Sequence, residues 1–522
     1  MPTITLDNHT ITVPQGTTLL SAAEQLGIDI PTLCYLKDLE PFASCMLCVV
    51  QEMRSGKLLP ACSAQAQEGM VIETGNEVVT TARRNALELL MSEHTGDCEA
   101  PCRKGCPASM NIPLMLRQIA NGEMEQAIRT VKADIALPAV MGRICPAPCE
   151  KVCNRAKLDG PVSICLLKRY AADEDLAETP WIPDCGPDNG KKIAVIGSGP
   201  AGLSAAYYLR LMGYGCTIYD KNEHPGGNLR YAVEPERLPH AVLDREIDVI
   251  ARMGAMFKNH TEIGRDISIT ELQQQYEAIV LSIGTIDANT AERFGVECSD
   301  KGIRTDSNTL MTSKPGIFAG GSALRESKMA IRSAAQGKRI AESIHRYLND
   351  LPVPENLDRY DSRTGKLSEQ ELNVLLHHAE QALPEQPKGL PGQGYTAETA
   401  RQQAARCMHC DCRKPDTCKL RIYSRQYQAD PKHYSGFERA GIELIDQHDL
   451  VIYEPGKCIK CGICVRITEQ ESENLGLAFV GRGFNVRVQS PFHSSLNDAL
   501  QQTALKCAQS CPTGAISLKR ET

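Results

Sequence analysis

The segment KKIAVIGSGPAGLSAAYYLRLMGYGCTIYD, residues 191–220, determines the fold of the central part of this chain. A short apolar run from Ile193 to Ile196 leads directly into a turn that contains Gly197, Gly199 and Gly202. Residues with an apolar helical period follow the turn. This order of strand, glycine turn and helix is typical of a nucleotide-binding βαβ unit, so the sequence predicts a Rossmann-like domain here.

Each glycine of the turn has its own role in such a unit. Gly197 permits the tight turn, Gly199 lets backbone N–H groups approach a pyrophosphate, and Gly202 lets the helix pack closely on the strand. A carboxylate that closes the next strand takes the ribose hydroxyls. A purely structural glycine turn is the alternative interpretation. The predicted nucleotide-binding residues are Gly197, Gly199, Pro200, Ala201, Gly202 and Asp220.

The chain also has 23 cysteines among its 522 residues, and nearly all of them fall into five spaced groups. The first group is Cys34, Cys45, Cys48 and Cys62, in which a central C-x2-C has one further ligand on each side. Four thiolates in this arrangement hold a 2Fe–2S centre. Alternating apolar and polar residues from 3 to 13 and a helical pattern from 21 to 26 predict a small ferredoxin domain around it.

The second and third groups interleave over residues 94 to 175. They are Cys98, Cys102 and Cys106, then Cys145, Cys149 and Cys153, and finally Cys165. Seven thiols leave one ligand missing for two 4Fe–4S clusters. His94, four residues before Cys98, can supply the eighth because imidazole replaces thiolate at some iron–sulfur sites. The alternatives are a surface histidine and, for Cys165, a small buried hydrophobic residue.

The fourth group is part of the segment RCMHCDCRKPDTC. It consists of four cysteines packed into twelve residues, namely Cys407, Cys410, Cys412 and Cys418. A 4Fe–4S cluster is the preferred interpretation because the other cysteine groups also indicate iron. A structural zinc ion is the alternative, since four close thiolates also satisfy tetrahedral Zn²⁺.

The fifth group, Cys458, Cys461 and Cys464, has the C-x2-C-x2-C spacing of a ferredoxin. Thr468 stands near the place of the usual fourth cysteine, so Cys511 in CAQSCPTGAI is predicted as the fourth ligand of a 4Fe–4S cluster. Cys507 is then surplus. The cysteines outside every pattern, predicted to be buried thiols, are Cys185, Cys216 and Cys298.

Two segments carry a resemblance at the ends of the chain. GTTLLSAAEQLGIDIPTLCY, before and including Cys34, resembles the 2Fe–2S domain at the start of the large iron–sulfur subunit of respiratory complex I and of related hydrogenases and formate dehydrogenases. GLAFVGRGFNVRVQSPF resembles the equivalent stretch of the complex I and formate dehydrogenase subunits. One departure is the ten-residue gap between Cys34 and Cys45, where plant ferredoxins have four residues.

Residues 94 to 175 resemble the helical two-cluster domain of the glutamate synthase small subunit and of dihydropyrimidine dehydrogenase. The resemblance implies that the ligands cross over between the two clusters. One set would be His94, Cys98, Cys102 and Cys153, and the other Cys106, Cys145, Cys149 and Cys165.

The segments PGGNLRYAVEPERLPHAVLDREI and GIFAGGSALRESKMAIRSAAQGKRIAESI resemble the flavin domain of the glutamate synthase small-subunit family. This resemblance favours FAD over NAD as the bound nucleotide. It places Gly226, Gly227, Leu229 and Arg230 against the flavin, and Gly320 and Gly321 near its phosphate and ribityl chain. Ser322 stands where the family has an Asp for the ribityl hydroxyls, and its hydroxyl can still form a hydrogen bond.

That family also carries a second Rossmann unit for NADPH inserted within the FAD domain. Here AIVLSIGT ends at Thr285 and TLMTSKPGIFAGG begins at Thr309, with no second glycine turn between them. The gap is too short for a nucleotide domain of roughly 100 residues. The flavin is therefore not expected to take hydride from a pyridine nucleotide bound to this chain.

The composition and length limit the number of domains, the partners and the location that can be expected. The length allows three or four domains, and a net charge of -7 gives no reason to expect nucleic acid or a lipid surface as partner. With no apolar stretch long enough to span a membrane and no leader pattern in MPTITLDNHT, a cytoplasmic protein is expected. A disulfide framework is excluded because such cysteine density belongs to short secreted chains.

The patterns together predict a multidomain α+β and α/β protein. The predicted segments are a β-grasp 2Fe–2S ferredoxin domain (1–90), a helical domain for two 4Fe–4S clusters (91–185), a Rossmann-like FAD domain (188–350), a linker (351–400), a Cys-rich 4Fe–4S segment (401–430) and a 4Fe–4S ferredoxin-like domain (450–522).

Clusters carry one electron, whereas FAD holds two and releases them singly, so the combination predicts an electron-transfer subunit of an oxidoreductase. Its expected content is FAD, one 2Fe–2S cluster and up to four 4Fe–4S clusters. The expected partner is a formate dehydrogenase, a hydrogenase, an NADH-oxidising flavoprotein or a synthase large subunit. The alternatives are a self-contained NAD(P)H:acceptor oxidoreductase and a non-catalytic iron–sulfur scaffold.

Overall fold

The computed structural model describes residues 1–286, 288–352, 360–386, 394–434 and 439–519. The chain forms two compact units, each built from separate stretches of sequence. The terminal unit contains residues 1–100, 359–378 and 409–522, and the central unit contains residues 101–358 and 379–408.

The N-terminal part of the terminal unit is a five-stranded sheet with two helices. The predicted alternation near the N-terminus forms the hairpin of Thr3–Leu6 and His9–Thr12, and the first strand pairs in parallel with Val71–Glu73. Each helix begins at a side chain that accepts a backbone N–H, Thr18 in one case and Asn76 in the other. The remaining strands are Val49–Glu52 and Leu58–Pro60, and the helices are Leu19–Gln25 and Glu77–Ser92.

The C-terminal part of this unit has two small antiparallel pairs of strands and short helices. The strand pairs are Val451–Tyr453 with Ile516–Leu518, and Ala478–Val480 with Arg487–Gln489. The α-helices are Glu369–His377, Lys419–Gln426, Ile463–Gln470, Leu496–Ala499 and Ala504–Ser510, and the 3-10 helices are Pro455–Lys457, Gly483–Asn485 and Pro491–His493. One apolar core joins Leu33 and Leu47 to Tyr453 and Ile467, so residues from both ends of the chain pack together.

The first part of the central unit is helical. Pro138–Ile144 and Ile164–Ala177 pack against each other, and the cysteines between residues 102 and 165 lie on the helices of this part or directly beside them. The elements are Pro101–Gly105, Ile112–Asn121, Met124–Asp134, Pro138–Ile144, Pro148–Lys151, the 3-10 helix Asn154–Lys157, Ile164–Ala177 and, later in the chain, Ala397–Ala405.

The second part of the central unit is a parallel five-stranded sheet with helices. The strand order is Ile317–Ala319, Ala278–Leu281, Lys192–Ile196, Gly215–Tyr219, Met256–Lys258. The helices are Pro200–Leu211, Asn228–Tyr231, His240–Arg252, Ile269–Gln275, Ala288–Phe294 and Ala330–Leu348, with a 3-10 turn at Gly321–Ala323. Strand, glycine turn and helix follow one another as the sequence predicts.

The segment between Ala278–Leu281 and Ile317–Ala319 is short. Its described residues form the helix Ala288–Phe294 and a hairpin of Cys298–Ser299 with Gly302–Ile303. Within those residues there is no second unit of strand, glycine turn and helix.

The predicted linker is divided between the two units. Its helix, expected over residues 368–382, forms as Glu369–His377 in the terminal unit, where a capping box at Ser368 begins it and Leu372 and Leu375 are buried. Residues 379–386 and 394–400 belong to the central unit. The proline-rich passages of the prediction extend into 353–359 and 387–393, which lie outside the described residues. None of the helices in the described ranges is both long and apolar enough to cross a bilayer.

Candidate redox centres

The four cysteines predicted to hold a 2Fe–2S centre come together in the terminal unit, and all four are buried. The Cys34 and Cys45 thiols form one hydrogen-bonded pair and the Cys48 and Cys62 thiols form another. The hydrogen bond from Cys45 lowers the pKa of Cys34 to about 5, and the bond from Cys48 likewise lowers the pKa of Cys62. The same hydrogen bonds raise the pKa values of the donor thiols Cys45 and Cys48. Iron binds thiolates, and four buried sulfurs in two hydrogen-bonded pairs form a donor set that fits the predicted centre.

The C-terminal cysteines line a cavity in the same unit. Cys458, Cys461, Cys464 and Cys511 surround it together with apolar groups such as Ile516. The backbone N–H of Lys460 lies 3.4 Å from the Cys458 sulfur, in the manner of the N–H···S bonds that tune cluster potentials. Four thiols around an apolar cavity fit a 4Fe–4S cluster.

Neither Cys507 nor Thr468 lines this cavity. The Cys507 side chain is fully buried and is absent from the cavity lining, and its sulfur faces the Cys464 carbonyl at 3.9 Å. The Thr468 hydroxyl donates to the Val465 carbonyl at 2.8 Å and accepts from Leu477 N–H at 3.2 Å. Thr468 therefore stabilises the end of its helix.

The central unit brings Cys106, Cys145, Cys149 and Cys165 together, as the resemblance implied. Cys145 ends the helix Pro138–Ile144, while Cys149 and Cys165 lie on the two following α-helices. The Cys165 thiol donates to Cys145, which lowers the pKa of Cys145 to about 6. Each of these four thiols interacts electrostatically with the same buried lysine, Lys168.

Sequence reasoning missed Lys168, although its position three residues after Cys165 on a helix was a usable signal. Its side chain is buried. Burial alone would lower the pKa of Lys168, but the four surrounding thiols raise it above its ordinary value. A positive charge in this position favours the reduced, more negative state of a cluster.

We expect Lys168→Met to lower the reduction potential of this centre by on the order of 100 mV, the size of one nearby charge at an effective dielectric of about 20. A redox titration followed by EPR measures the shift. Arg169→Met is the matched control, because Arg169 is the next residue but pairs with Asp173 instead. Equal potentials in the two variants would show that Lys168 does not act on the centre.

The remaining predicted ligands are distributed between the units. His94 and Cys98 belong to the terminal unit with Cys410, Cys412 and Cys418, whereas Cys102, Cys153 and Cys407 belong to the central unit. Within the terminal unit, the Cys98 carbonyl accepts from Cys412 N–H at 3.4 Å. Burial raises the pKa of the Cys98 thiol to about 12, and the thiols of Cys412 and Cys418 contribute to the shift. The sequence did not predict this grouping.

His94 lies close to the same region. Its Nδ1 is buried without a hydrogen-bond partner among the described residues. Burial, and then the charge of Lys457, lowers the pKa of His94 to about 4. A neutral imidazole with an unsatisfied nitrogen is suited to ligate a metal.

The glycine turn has the geometry that a nucleotide site needs. Gly197 has φ +96°, and a side chain there would meet the Ser282 carbonyl oxygen at 2.4 Å. A Cβ on Gly202 would lie 2.0 Å from the Gly197 carbonyl oxygen. A Cβ on Gly199, the N-cap of the helix Pro200–Leu211, would meet no atom within 4 Å. Gly197 and Gly202 are thus required by packing, whereas the space at Gly199 is open.

The other predicted flavin residues gather around this helix N-terminus. The Gly226 N–H donates to the Ser198 hydroxyl at 2.9 Å, and a Cβ on Gly227 would lie 3.0 Å from Gly199 Cα. A Cβ on Gly321 would lie 3.2 Å from Ala201 Cβ. Two glycine-rich loops therefore meet the first turn of the helix, which fits a bound diphosphate.

Several predicted contact residues already have partners within the chain. Asp220 accepts from Ser198 N–H at 2.8 Å and from Asn222 N–H at 2.9 Å, one through each carboxylate oxygen. Arg230 donates to the Pro225 carbonyl at 2.8 Å and pairs with Asp244. Leu229 and Gly320 are buried, and Ser322 is half-buried. Ser198 is the residue that the motif analysis missed, since it occupies a variable position of the glycine turn.

Glu246 links the part of the central unit that contains the parallel sheet to its helical part, which carries the cysteines. It lies on His240–Arg252 and accepts from the backbone N–H groups of Ala139 and Val140 at 2.7 and 2.8 Å. These residues begin the helix that ends at Cys145. Burial raises the pKa of Glu246 from 4.5 to about 7, although the two N–H donors partly offset it.

A carboxyl whose folded pKa is raised stabilises the fold below its unfolded pKa, and this contribution is lost as the pH rises through 4.5 to about 7. We therefore expect Glu246→Gln to gain stability relative to the wild type by about 1.4 kcal/mol for each pH unit across that window. Denaturation at pH 5 and pH 8 measures it. Asp248→Asn, an exposed site on the same helix, is the control. Parallel pH profiles for wild type and Glu246→Gln would contradict the expectation.

Three family models match consecutive parts of the chain. A 2Fe-2S iron-sulfur cluster binding domain matches residues 1–77, the dihydropyrimidine dehydrogenase domain II, 4Fe-4S cluster, matches 77–179, and a pyridine nucleotide-disulphide oxidoreductase domain matches 164–337. The resemblance to the two-cluster domain of dihydropyrimidine dehydrogenase is thereby confirmed.

Three curated relatives are similar to parts of the chain. The NADPH-Fe(3+) oxidoreductase subunit beta of Geobacter sulfurreducens is 34% identical over 318 residues, which are 60% of this chain and 43% of the relative. The NADP(+)-dependent formate dehydrogenase subunit beta of Moorella thermoacetica is 36% identical over 39% of this chain and 31% of its own length. The NAD-dependent dihydropyrimidine dehydrogenase subunit PreT of Salmonella typhimurium is 37% identical over 36% and 46%.

The chain spans less than half the length of each of these relatives. All three are named as subunits of oxidoreductases. The chain therefore carries, in this order, segments that match a 2Fe–2S domain, a dihydropyrimidine dehydrogenase-type 4Fe–4S domain and a pyridine nucleotide-disulphide oxidoreductase domain.

Proposed function

We propose that this chain is the FAD- and iron–sulfur-containing electron-transfer subunit of a multi-subunit oxidoreductase, relaying electrons between a partner catalytic subunit and an acceptor. The observation that carries the proposal is the apolar core of the terminal unit. Cys34, Cys45, Cys418 and Cys461 are buried in this one core, and Cys458, Cys464 and Cys511 pack against it. Ligands of several predicted centres thus lie close together, as a chain of single-electron carriers requires.

The proposed cofactors are FAD, one 2Fe–2S cluster and up to four 4Fe–4S clusters. FAD, when bound, exchanges an electron pair for single electrons. The residues of the chain would hold its diphosphate at the N-terminus of Pro200–Leu211 between the loops of Gly226 and Gly321. The proposed iron ligands are the predicted cysteines of the five groups together with His94. Cys507 is excluded because it lies outside the cavity.

The proposed partner is a catalytic subunit that oxidises or reduces the substrate, of the formate dehydrogenase, hydrogenase, NADH-oxidising flavoprotein or synthase type. The names of the formate dehydrogenase and dihydropyrimidine dehydrogenase relatives support a multi-subunit setting. The short segment between Ala278–Leu281 and Ile317–Ala319 supports delivery of electrons by a partner rather than by a nucleotide bound to this chain. A self-contained NAD(P)H oxidoreductase is the second candidate, favoured by the match to a pyridine nucleotide-disulphide oxidoreductase domain.

An anaerobic absorbance titration of the reconstituted protein tests the proposal. We expect iron, acid-labile sulfide and FAD in the purified chain, no bleaching by NADH or NADPH, and full bleaching by dithionite. Rapid bleaching by either nucleotide would favour the second candidate. A protein whose iron does not change oxidation state with dithionite would be a structural scaffold, and the relay proposal would be wrong.

A further inference from the structure

Arg466 connects two of the predicted centres of the terminal unit. It lies on the helix Ile463–Gln470 and its side chain is half-buried. Among the described residues, its hydrogen bonds go to backbone carbonyls, and one nitrogen, Nη2, donates to the Cys34 carbonyl at 3.1 Å and to the Cys461 carbonyl at 3.4 Å. The other accepting carbonyls are Gly462, 3.2 Å from Nε, and Glu40, which accepts from Nη1. A single guanidinium therefore joins a predicted ligand of the 2Fe–2S centre to a predicted ligand of the C-terminal centre.

Two aromatic rings cover this contact. Phe42, from the loop between Cys34 and Cys45, stacks on Phe479 with ring centres 5.8 Å apart and planes 9° apart. The Arg466 Cζ lies 5.6 Å from the centre of the Phe42 ring, which is cation–π distance. The guanidinium thus lies against the Phe42 ring, and Phe479 stacks on that ring.

The glycine that precedes the helix has a left-handed backbone conformation. Gly462 has φ +71°, which favours glycine, and a Cβ there would lie in ordinary van der Waals contact with Phe479 and Phe42, at 3.4 and 3.7 Å. Cys34 and Cys461 are also buried in the same apolar core. The two predicted ligands thus share one core and are bridged by hydrogen bonds.

We propose that Arg466 is the positioning residue of the electron route between the 2Fe–2S centre of Cys34 and the 4Fe–4S centre of Cys461. This inference rests on the proposed function. One electron leaves one centre and enters the other, so no bond forms or breaks and no proton is needed. The path runs from the Cys34 sulfur along its side chain to its carbonyl, through the Nη2 hydrogen bonds, and into the backbone and sulfur of Cys461. The arginine guanidinium suits this role because it is planar, always charged and donates several hydrogen bonds at once. Lysine cannot make the same set of bonds.

The test compares the wild type with Arg466→Met, which keeps the apolar stem and removes every donor. Both loaded proteins are mixed with limiting dithionite and frozen at intervals, and EPR follows the passage of electrons between the two signals. The signal of the C-terminal centre is identified by its loss in Cys511→Ala. We expect Arg466→Met to slow the exchange roughly tenfold, the change that 1.4 kcal/mol in barrier represents. Spin coupling between the two centres in the fully reduced protein should also weaken.

Gln470→Ala is the matched control, because Gln470 is on the same helix and its side chain donates to the carbonyl of Asp38, which is not a predicted ligand, at 3.4 Å. It should retain the wild-type exchange rate and coupling. If Arg466→Met loses iron, Arg466→Lys replaces it, with a smaller decrease expected. Wild-type exchange and coupling in an iron-replete Arg466 variant would overturn the inference while leaving the proposed function intact. Absence of either signal from the wild type would overturn both.

Discussion

Replacing Cys511 by alanine is expected to remove about four iron atoms and four labile sulfides per chain, because a 4Fe–4S cluster is held by four thiolates and the variant would supply only three. Cys511 lines the cavity together with Cys458, Cys461 and Cys464, at the end of the helix Ala504–Ser510. The result is measured as iron and sulfide per chain and as the loss of one EPR signal from the reduced protein.

Cys507→Ala is the matched control, one helical turn earlier on the same helix. Cys507 is fully buried but outside the cavity, so its replacement should keep all the iron and lower stability by about 1 kcal/mol through a small packing defect. If Cys507→Ala lost iron and Cys511→Ala kept it, the ligand assignment at this centre would be reversed.

The second large effect is expected at the glycine turn. Gly199→Ala should weaken FAD binding by roughly 10- to 100-fold, since the new Cβ enters the open space in which a diphosphate would approach the backbone. The same Cβ meets no protein atom within 4 Å, so the cost to stability comes from alanine being a poorer N-cap than glycine. We therefore expect at most about 1 kcal/mol of lost stability. Flavin fluorescence titration and thermal denaturation of the apoprotein measure the two effects separately.

Gly202→Ala should behave differently, because its Cβ would lie 2.0 Å from the Gly197 carbonyl oxygen and 2.5 Å from the Ser282 hydroxyl. Overpacking of this kind destabilises the fold by roughly 1–3 kcal/mol or more, so both stability and flavin content should fall. Gly75→Ala, in open space in the terminal unit, gives the baseline for a harmless glycine replacement. Full flavin affinity in Gly199→Ala would show that no phosphate approaches this backbone.

Much of this protein could be predicted from its sequence because contiguous residues build the local features. The strand, glycine turn and helix from Lys192 to Leu211 form as predicted, since the turn conformation depends on glycines a few residues apart. The C-x2-C-x2-C loop around Cys461 is equally local. Even the shared cavity of Cys511 with that loop could be inferred, because ferredoxin motifs have a known fourth position.

The relations between distant segments required the tertiary structure. The grouping of Cys98 with Cys412 and Cys418, and the bridge of Arg466 between Cys34 and Cys461, join residues that are more than 300 positions apart. Such pairings depend on which apolar faces pack in one core, and a sequence pattern of a few residues carries no information about the partner segment.

The amino-acid sequence by itself predicted the chemistry of the chain, namely which residues would hold clusters and a nucleotide. Only the tertiary structure decided which of the predicted cysteines share one core, and it placed the charges of Lys168 and Arg466 beside predicted ligands. The physical reason is that ligand spacing follows from covalent geometry over a few residues, whereas the placement of charges and neighbouring sites follows from the burial of apolar surface over the whole chain.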